Sequence, residues 1–200
     1  MFVYPGQESA AMICRAILGL AIILFAFAAK SDSPAGASAH DFTFTAIEGG
    51  PLPLANYAGK ALLVVNTASF CGFTKQYDAL QELWQEYGAR GLVVLGVPSN
   101  DFGKQEPGTA AEIKRFCETN YHIDFPLTEK TTVSGEDAHP FYKWAAREAG
   151  WLARPRWNFH KYLIAPDGSL SDWFSTPTSP TSRRVKRAIE ALLLNTRSVS

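Results

Sequence analysis

Three cysteines are the residues of this 200-residue chain with the most reactive chemistry, and they stand in different surroundings. Cys71 lies in Ala61-Leu62-Leu63-Val64-Val65-Asn66-Thr67-Ala68-Ser69-Phe70-Cys71-Gly72-Phe73-Thr74. Leu62 to Val65 is a short apolar run rich in β-branched residues, which predicts a buried strand. Thr74 is the expected helix N-cap, since Tyr77, Leu80, Leu83, Trp84 and Tyr87 then recur at helical spacing. Cys71 therefore falls on a strand-to-helix turn, just ahead of a helix N-terminus. Unpaired backbone N–H groups and the helix dipole favour a negative charge there, and the thiolate is the reactive form of cysteine. The alternative is a turn cysteine without chemistry.

The other candidates are weaker when taken alone. Cys14 sits in an apolar N-terminal stretch. Cys117 falls on the apolar stripe of a predicted helix, where a free cysteine is often plain core. Two cysteines in a domain of this size make no disulfide scaffold, so Cys71 and Cys117 read as a redox pair, or as one reactive thiol and one core residue. His40, His122, His139 and His160 are too scattered for metal-ligand spacing, so no metal and no bound cofactor are expected. Trp144, Trp151 and Trp173 read as core or rim aromatics.

The elements that position these residues follow from the patterning. Apolar residues make up 46% of the chain, enough for one domain of about 150 residues. Lys+Arg and Asp+Glu balance at 19 each, and this gives no bulk attraction to nucleic acid or to an acidic membrane. Residues 1–39 read as a targeting segment and linker, and 40–200 as the domain. Ala16 to Ala29 is fourteen residues without a polar side chain, preceded by Arg15. That is short of the roughly twenty residues of a spanning helix and fits a secretory signal core, so export to the periplasm or outside is expected. Ala37-Ser38-Ala39 and Ala26-Phe27-Ala28 both have the form of a cleavage site, and Met12 is a second possible start. The alternative is an anchor that retains residues 16–29 in the membrane.

Within the domain, Phe42 to Ile47 alternates as a strand ending at the Glu48–Pro51 turn, and Leu52 to Gly59 reads as loop. The strand Leu62–Val65, the helix Thr74–Tyr87 and the strand Leu92–Val97 form a βαβ unit, so the two strands are expected to be parallel neighbours. Pro98 to Gly108 is a loop leaving the C-terminal edge of the second strand, where ligands of open α/β sheets gather. Thr109-Ala110-Ala111-Glu112 is a capping box for a helix reaching Asn120, with Ile113, Phe116, Cys117 and Tyr121 as its stripe. Asp124–Leu127 is a short extended piece. Asp137 is the expected cap of a helix carrying Phe141, Trp144 and Ala145. A loop at 154–159, a strand at 162–164, a turn at Pro166-Asp167-Gly168 and a return strand to Phe174 follow. Ser179-Pro180 is expected to open the last helix, with Val185, Ile189, Leu192 and Leu193 inward and Arg183, Arg184, Lys186 and Arg187 in solvent. The order β-β-α-β-α-α-β-β-α predicts an α/β fold, a central mixed sheet with helices on both faces.

Three segments resemble the signatures of the glutathione peroxidase family, and in its order: Asn66 to Thr74, Asn100 to Gly108, and Trp157-Asn158-Phe159. Gly135 to Pro140 and Lys161 to Gly168 extend the likeness across 41–195. The resemblance implies a thioredoxin-like fold and a peroxidase that reduces hydrogen peroxide or organic hydroperoxides with a thiol reductant. By it, Cys71 is the peroxidatic residue, completed by Gln105, Trp157 and Asn158. Neutral N–H donors suit that task, since a hydrogen bond to a charged group is worth roughly 1.5–3 kcal/mol. The resemblance also makes Cys117 a resolving cysteine that condenses with the Cys71 sulfenic acid to a disulfide, which a reductant then reopens. Two thiols on separate elements then require the helix to loosen locally. The chain departs from the family's pattern at Ser99 and Asp101, where members usually carry cysteine and glutamine. It also lacks an arginine near Trp173 and the long insertions of tetrameric members. These departures imply a monomer served by a thioredoxin-like protein rather than by glutathione. The competing readings are a thiol–disulfide relay or peroxide sensor that passes oxidation to a partner protein, and a silent thioredoxin-like binding module.

Overall fold

A computed structural model of the chain describes residues 37–197. The targeting segment expected at 1–39, with the apolar run 16–29, lies outside the described residues except for its last three positions. The core of the fold is a four-stranded sheet in the order β4-β3-β5-β6. β3 (Ala61–Thr67) and β4 (Leu92–Pro98) are parallel, with Thr67 opposite Pro98. β5 (Lys161–Ile164) and β6 (Leu170–Phe174) then run antiparallel, with Val65 of β3 opposite Lys161. Every residue of β3 and β4 is buried, as their unbroken apolar runs require when both faces are covered.

The side chains alternate between two cores. Leu63, Val65 and Val94 join α1 (Gln76–Tyr87), α2 (Ala110–Tyr121) and α4 (Arg183–Arg197) through Leu80, Ile113, Cys117 and Ile189. Leu62, Val64 and Val93 face the other way, onto Phe141 and Trp144 of α3 (Pro140–Glu148) and onto Phe42 and Phe44. The expected mixed sheet with helices on both faces is thus the observed architecture.

Five local expectations are corrected. Residues 52–59 are not all loop: Pro51–Pro53 is a strand, β2, paired antiparallel with β1 (Thr43–Thr45). Pro51 and Pro53 fit there because a two-stranded hairpin is all edge and tolerates prolines. Thr74 does not cap α1. Its hydroxyl donates back to the Cys71 carbonyl at 2.9 Å, and successive tight turns wind from Cys71 into Gln76. Asp137 does not cap α3. Pro140 fixes the first helical position, so the residue before it, His139, becomes the cap and accepts from the Phe141 N–H at 3.2 Å. Pro180 does not open α4, which starts at Arg183, where the Ser182 hydroxyl accepts from the Val185 N–H at 3.4 Å. Nor is its basic face simply solvated: Lys186 reaches Glu82 at 3.1 Å and Glu86 at 2.7 Å on α1.

Candidate active site

The three signature segments meet because of strand direction. Parallel β3 and β4 both end at one edge of the sheet, and antiparallel β5 begins there. The turn after β3 carries Cys71, the loop after β4 carries Gln105, and the loop before β5 carries Trp157 and Asn158. The Phe70 N–H donates to the Gln105 carbonyl at 3.0 Å, which ties the cysteine turn to the facing loop. Asn158 Nδ2 donates to Gln105 Oε1 at 3.0 Å and lies 3.5 Å from the Phe102 carbonyl. Trp157 stands over Phe102 with ring centroids 6.1 Å apart. Cys71 is buried, and the Phe73 N–H points at its Sγ from 3.5 Å. A backbone donor therefore faces the sulfur although the helix proper starts later than expected.

Asn66 has a supporting role that its place in a motif did not reveal. Its Nδ2 donates to the Trp157 carbonyl at 3.1 Å, its Oδ1 accepts from the His160 N–H at 3.0 Å, and its own carbonyl accepts from the Phe159 N–H. Those bonds hold Phe159 at a φ of 63°, an uncommon conformation for a residue with a side chain. The Trp157-Asn158 pair is thereby presented from a fixed backbone. Below it, burial pushes the Lys161 amine down to about 7, and its Nζ donates to the Phe159 carbonyl at 2.7 Å.

The departures from the family pattern are also placed. Asp101 Oδ2 accepts from the N–H groups of Val133 at 2.6 Å and Ser134 at 2.9 Å, so the acidic residue pins a neighbouring loop. Ser99 is fully buried, and its hydroxyl accepts from the Asp101 N–H at 3.4 Å.

Cys117 is free and fully buried on α2. Burial pushes its thiol up to about 12, and the Tyr77 hydroxyl lies beside it. The structure does not bond the two cysteines, but it does bring their elements together: Phe70 and Phe116, next in sequence to Cys71 and Cys117, have ring centroids 6.3 Å apart. Both rings line a cleft of about 450 Å³ that also touches Glu106 and Ile113. Glu106, adjacent to Gln105, is itself fully buried. Sequence reasoning passed over it, since a glutamate in a polar loop carries no sign of burial.

The rim is aromatic. Phe70 is 67% exposed, Trp157 39% and Phe73 38%, which leaves apolar surface around the mouth of the site. Within this arrangement a buried thiol with a backbone donor at its sulfur shares one sheet edge with a fixed amide pair and a rim of exposed rings.

A mixed four-stranded sheet of this order, covered on both faces and carrying a cysteine at its strand ends, is the thioredoxin-like fold. A model of the glutathione peroxidase family matches residues 39–146. A hydroperoxy fatty acid reductase of Synechocystis is 43% identical over 162 residues, covering 77% of this chain and 95% of that protein. A glutathione peroxidase-like peroxiredoxin of Chlamydomonas reinhardtii is 44% identical over 140 residues, 69% of this chain and 86% of its own length. Among solved structures, Trgpx in its apo form superposes with a TM-score of 0.64 at 35% identity, over 79% of this chain and 97% of that one. The chain belongs to the glutathione peroxidase family and is a peroxidase. Among the described residues, no helix is long and apolar enough to cross a membrane.

Proposed function

We propose that the chain is a two-cysteine thiol peroxidase in which Cys71 reduces hydrogen peroxide or organic hydroperoxides and Cys117 resolves the product. The observation that carries this reading is the convergence at one sheet edge of Cys71, the hydrogen-bonded amides of Gln105 and Asn158, and Trp157. The Cys71 thiolate attacks the O–O bond, and one oxygen stays on sulfur as a sulfenic acid. The other leaves with a proton as water or an alcohol, and the amide and indole donors follow the charge as it moves. The Cys117 sulfur then displaces hydroxide from Cys71, giving a disulfide and, with the thiol proton, water. Since both thiols are buried on separate elements, α2 has to loosen for that step.

A thioredoxin-like dithiol fits as reductant better than glutathione, because a disulfide is the natural substrate of thiol–disulfide exchange. The exposed Phe70, Phe73 and Trp157 suit a hydroperoxide with a hydrocarbon body, in keeping with the substrate named for the cyanobacterial relative. Export through the segment at 16–29 and a monomeric state complete the reading. Replacing Cys71 with Ser tests it: peroxide consumption with a dithiol reductant is expected to vanish while the fold persists. A fully active Cys71→Ser variant contradicts the assignment.

A further inference from the structure

The stretch Gln105 to Gly108 is the strap between the two cysteine-bearing elements, and it is held at several points. At its start the Gln105 carbonyl takes the Phe70 N–H. Next to it, Glu106 Oε2 accepts from the Ser69 N–H at 2.9 Å, two residues before Cys71, and the Glu106 N–H donates to Asn100 Oδ1 at 2.8 Å. The Lys130 ammonium grips three successive strap carbonyls, Glu106 at 3.1 Å, Pro107 at 3.3 Å and Gly108 at 2.9 Å. The strap then enters α2 through the Thr109–Glu112 capping box. Glu106 is fully buried, and its Oε1 has no hydrogen-bond partner. The Thr67, Ser69 and Tyr77 hydroxyls are likewise buried and unpartnered. A carboxyl in such a place is costly once ionised, and water is what relieves it.

We propose that Glu106 is a positioning residue for the resolving step: its buried carboxyl clips the Cys71 loop to the strap of α2, and loss of its proton favours the opened helix. The inference rests on the two-cysteine reading for what the opening accomplishes, though not for the opening itself.

The groups facing the carboxyl set the direction. Burial pushes Glu106 up to about 7, outweighing the Ser69 N–H hydrogen bond and the attraction of Lys130. Burial likewise holds Tyr77 and Cys117 neutral near neutral pH, and Glu112, across the cleft, is engaged by Thr109. In the opened state Glu106 meets water and returns toward the ordinary carboxyl value of about 4.5. Between those two values the opened state binds fewer protons, so opening grows as pH rises and levels off above about 7. At pH 7 the carboxyl of the closed state is half ionised, and as opening grows a thiol otherwise locked in the core becomes available.

Amide hydrogen exchange along Ile113–Cys117 of the reduced, full-length protein reads the opening directly. After correction for intrinsic exchange chemistry, the opening constant is expected to rise on the order of 50- to 100-fold between about pH 5 and about pH 8. Glu106→Gln keeps an oxygen for the Ser69 N–H but cannot ionise, and is expected to abolish that rise. Lys130→Gln removes a cation facing the carboxyl and should move the midpoint to higher pH, which supplies the same test should Glu106→Gln fail to fold. A flat wild-type profile, an unchanged response in Glu106→Gln, or an unmoved midpoint in Lys130→Gln overturns the clip. Mass mapping after peroxide separates the two claims. If α2 opens with pH but no Cys71–Cys117 disulfide forms, the two-cysteine reading falls and the clip stands; a disulfide with flat exchange does the reverse.

Discussion

A sulfur that cleaves an O–O bond needs donors that stay aimed at it while its charge moves to oxygen, and in the proposed mechanism the amide pair supplies one. Because Gln105 Oε1 accepts from Asn158 Nδ2, the orientation of the Gln105 amide is fixed. Its Nε2 hydrogens are left for a partner other than Asn158. Replacing Gln105 with Ala removes one donor to a charged group, a loss of roughly 1.5–3 kcal/mol. The second-order rate of Cys71 oxidation by peroxide should fall roughly 10- to 100-fold with the circular dichroism unchanged. An unchanged rate assigns Gln105 to loop structure alone. At this scale the sequence was informative where a motif is local, since Cys71, Gln105, Trp157 and Asn158 sit in contiguous signatures. It was silent on Asn66 and Glu106, whose roles depend on partners 91 and 37 residues away. No spacing rule reports such contacts.

Elements are positioned by strand direction and trimmed by their caps. The βαβ unit was legible from two apolar runs around one helical period, and its parallel pairing makes two site loops share an edge. The ends of elements were less legible, because a cap is chosen by three-dimensional contacts as well as by residue type. His139 illustrates this. Its Nδ1 accepts from the Phe141 N–H while its Nε2 faces the Thr43 carbonyl at 3.0 Å, so the neutral Nε2–H form joins α3 to β1. The ring also stacks on Phe44 with centroids 4.1 Å apart. Burial holds His139 below the usual histidine range. The cap is therefore fully present above about 6.5 and is lost as pH falls through the lowered value. His139→Ala should cost about 1–2 kcal/mol in urea denaturation at neutral pH, and the gap from wild type should narrow on acidification. A gap that is constant with pH would mean that the imidazole acts only by packing.

At the scale of the whole domain, two aromatic-rich cores lock the central sheet between helices, and the described termini of the fold attach to it. Trp144 in the α3-side core donates its indole N–H to the Ala37 carbonyl at 2.8 Å, and Lys186 ties α4 to α1. With β3 and β4 fully buried, the movement that the proposed resolving step needs falls to α2, which buries only Ile113 and Cys117 fully. In the proposed cycle the sheet edge keeps the peroxide-facing groups in place, and α2 delivers the second thiol. The global fold class was readable from composition and element order. How few residues α2 buries was not, since that depends on the partners each helix finds after folding.

The central claim, that Cys71 and Cys117 act as a pair, is tested most directly by treating the reduced protein with a small excess of hydrogen peroxide and mapping its cysteines by mass spectrometry. The account predicts a Cys71–Cys117 disulfide that a dithiol reductant reopens. Cys71 recovered as sulfenic or sulfinic acid with Cys117 still a free thiol would contradict it, make Cys117 a core residue and return glutathione as the reductant.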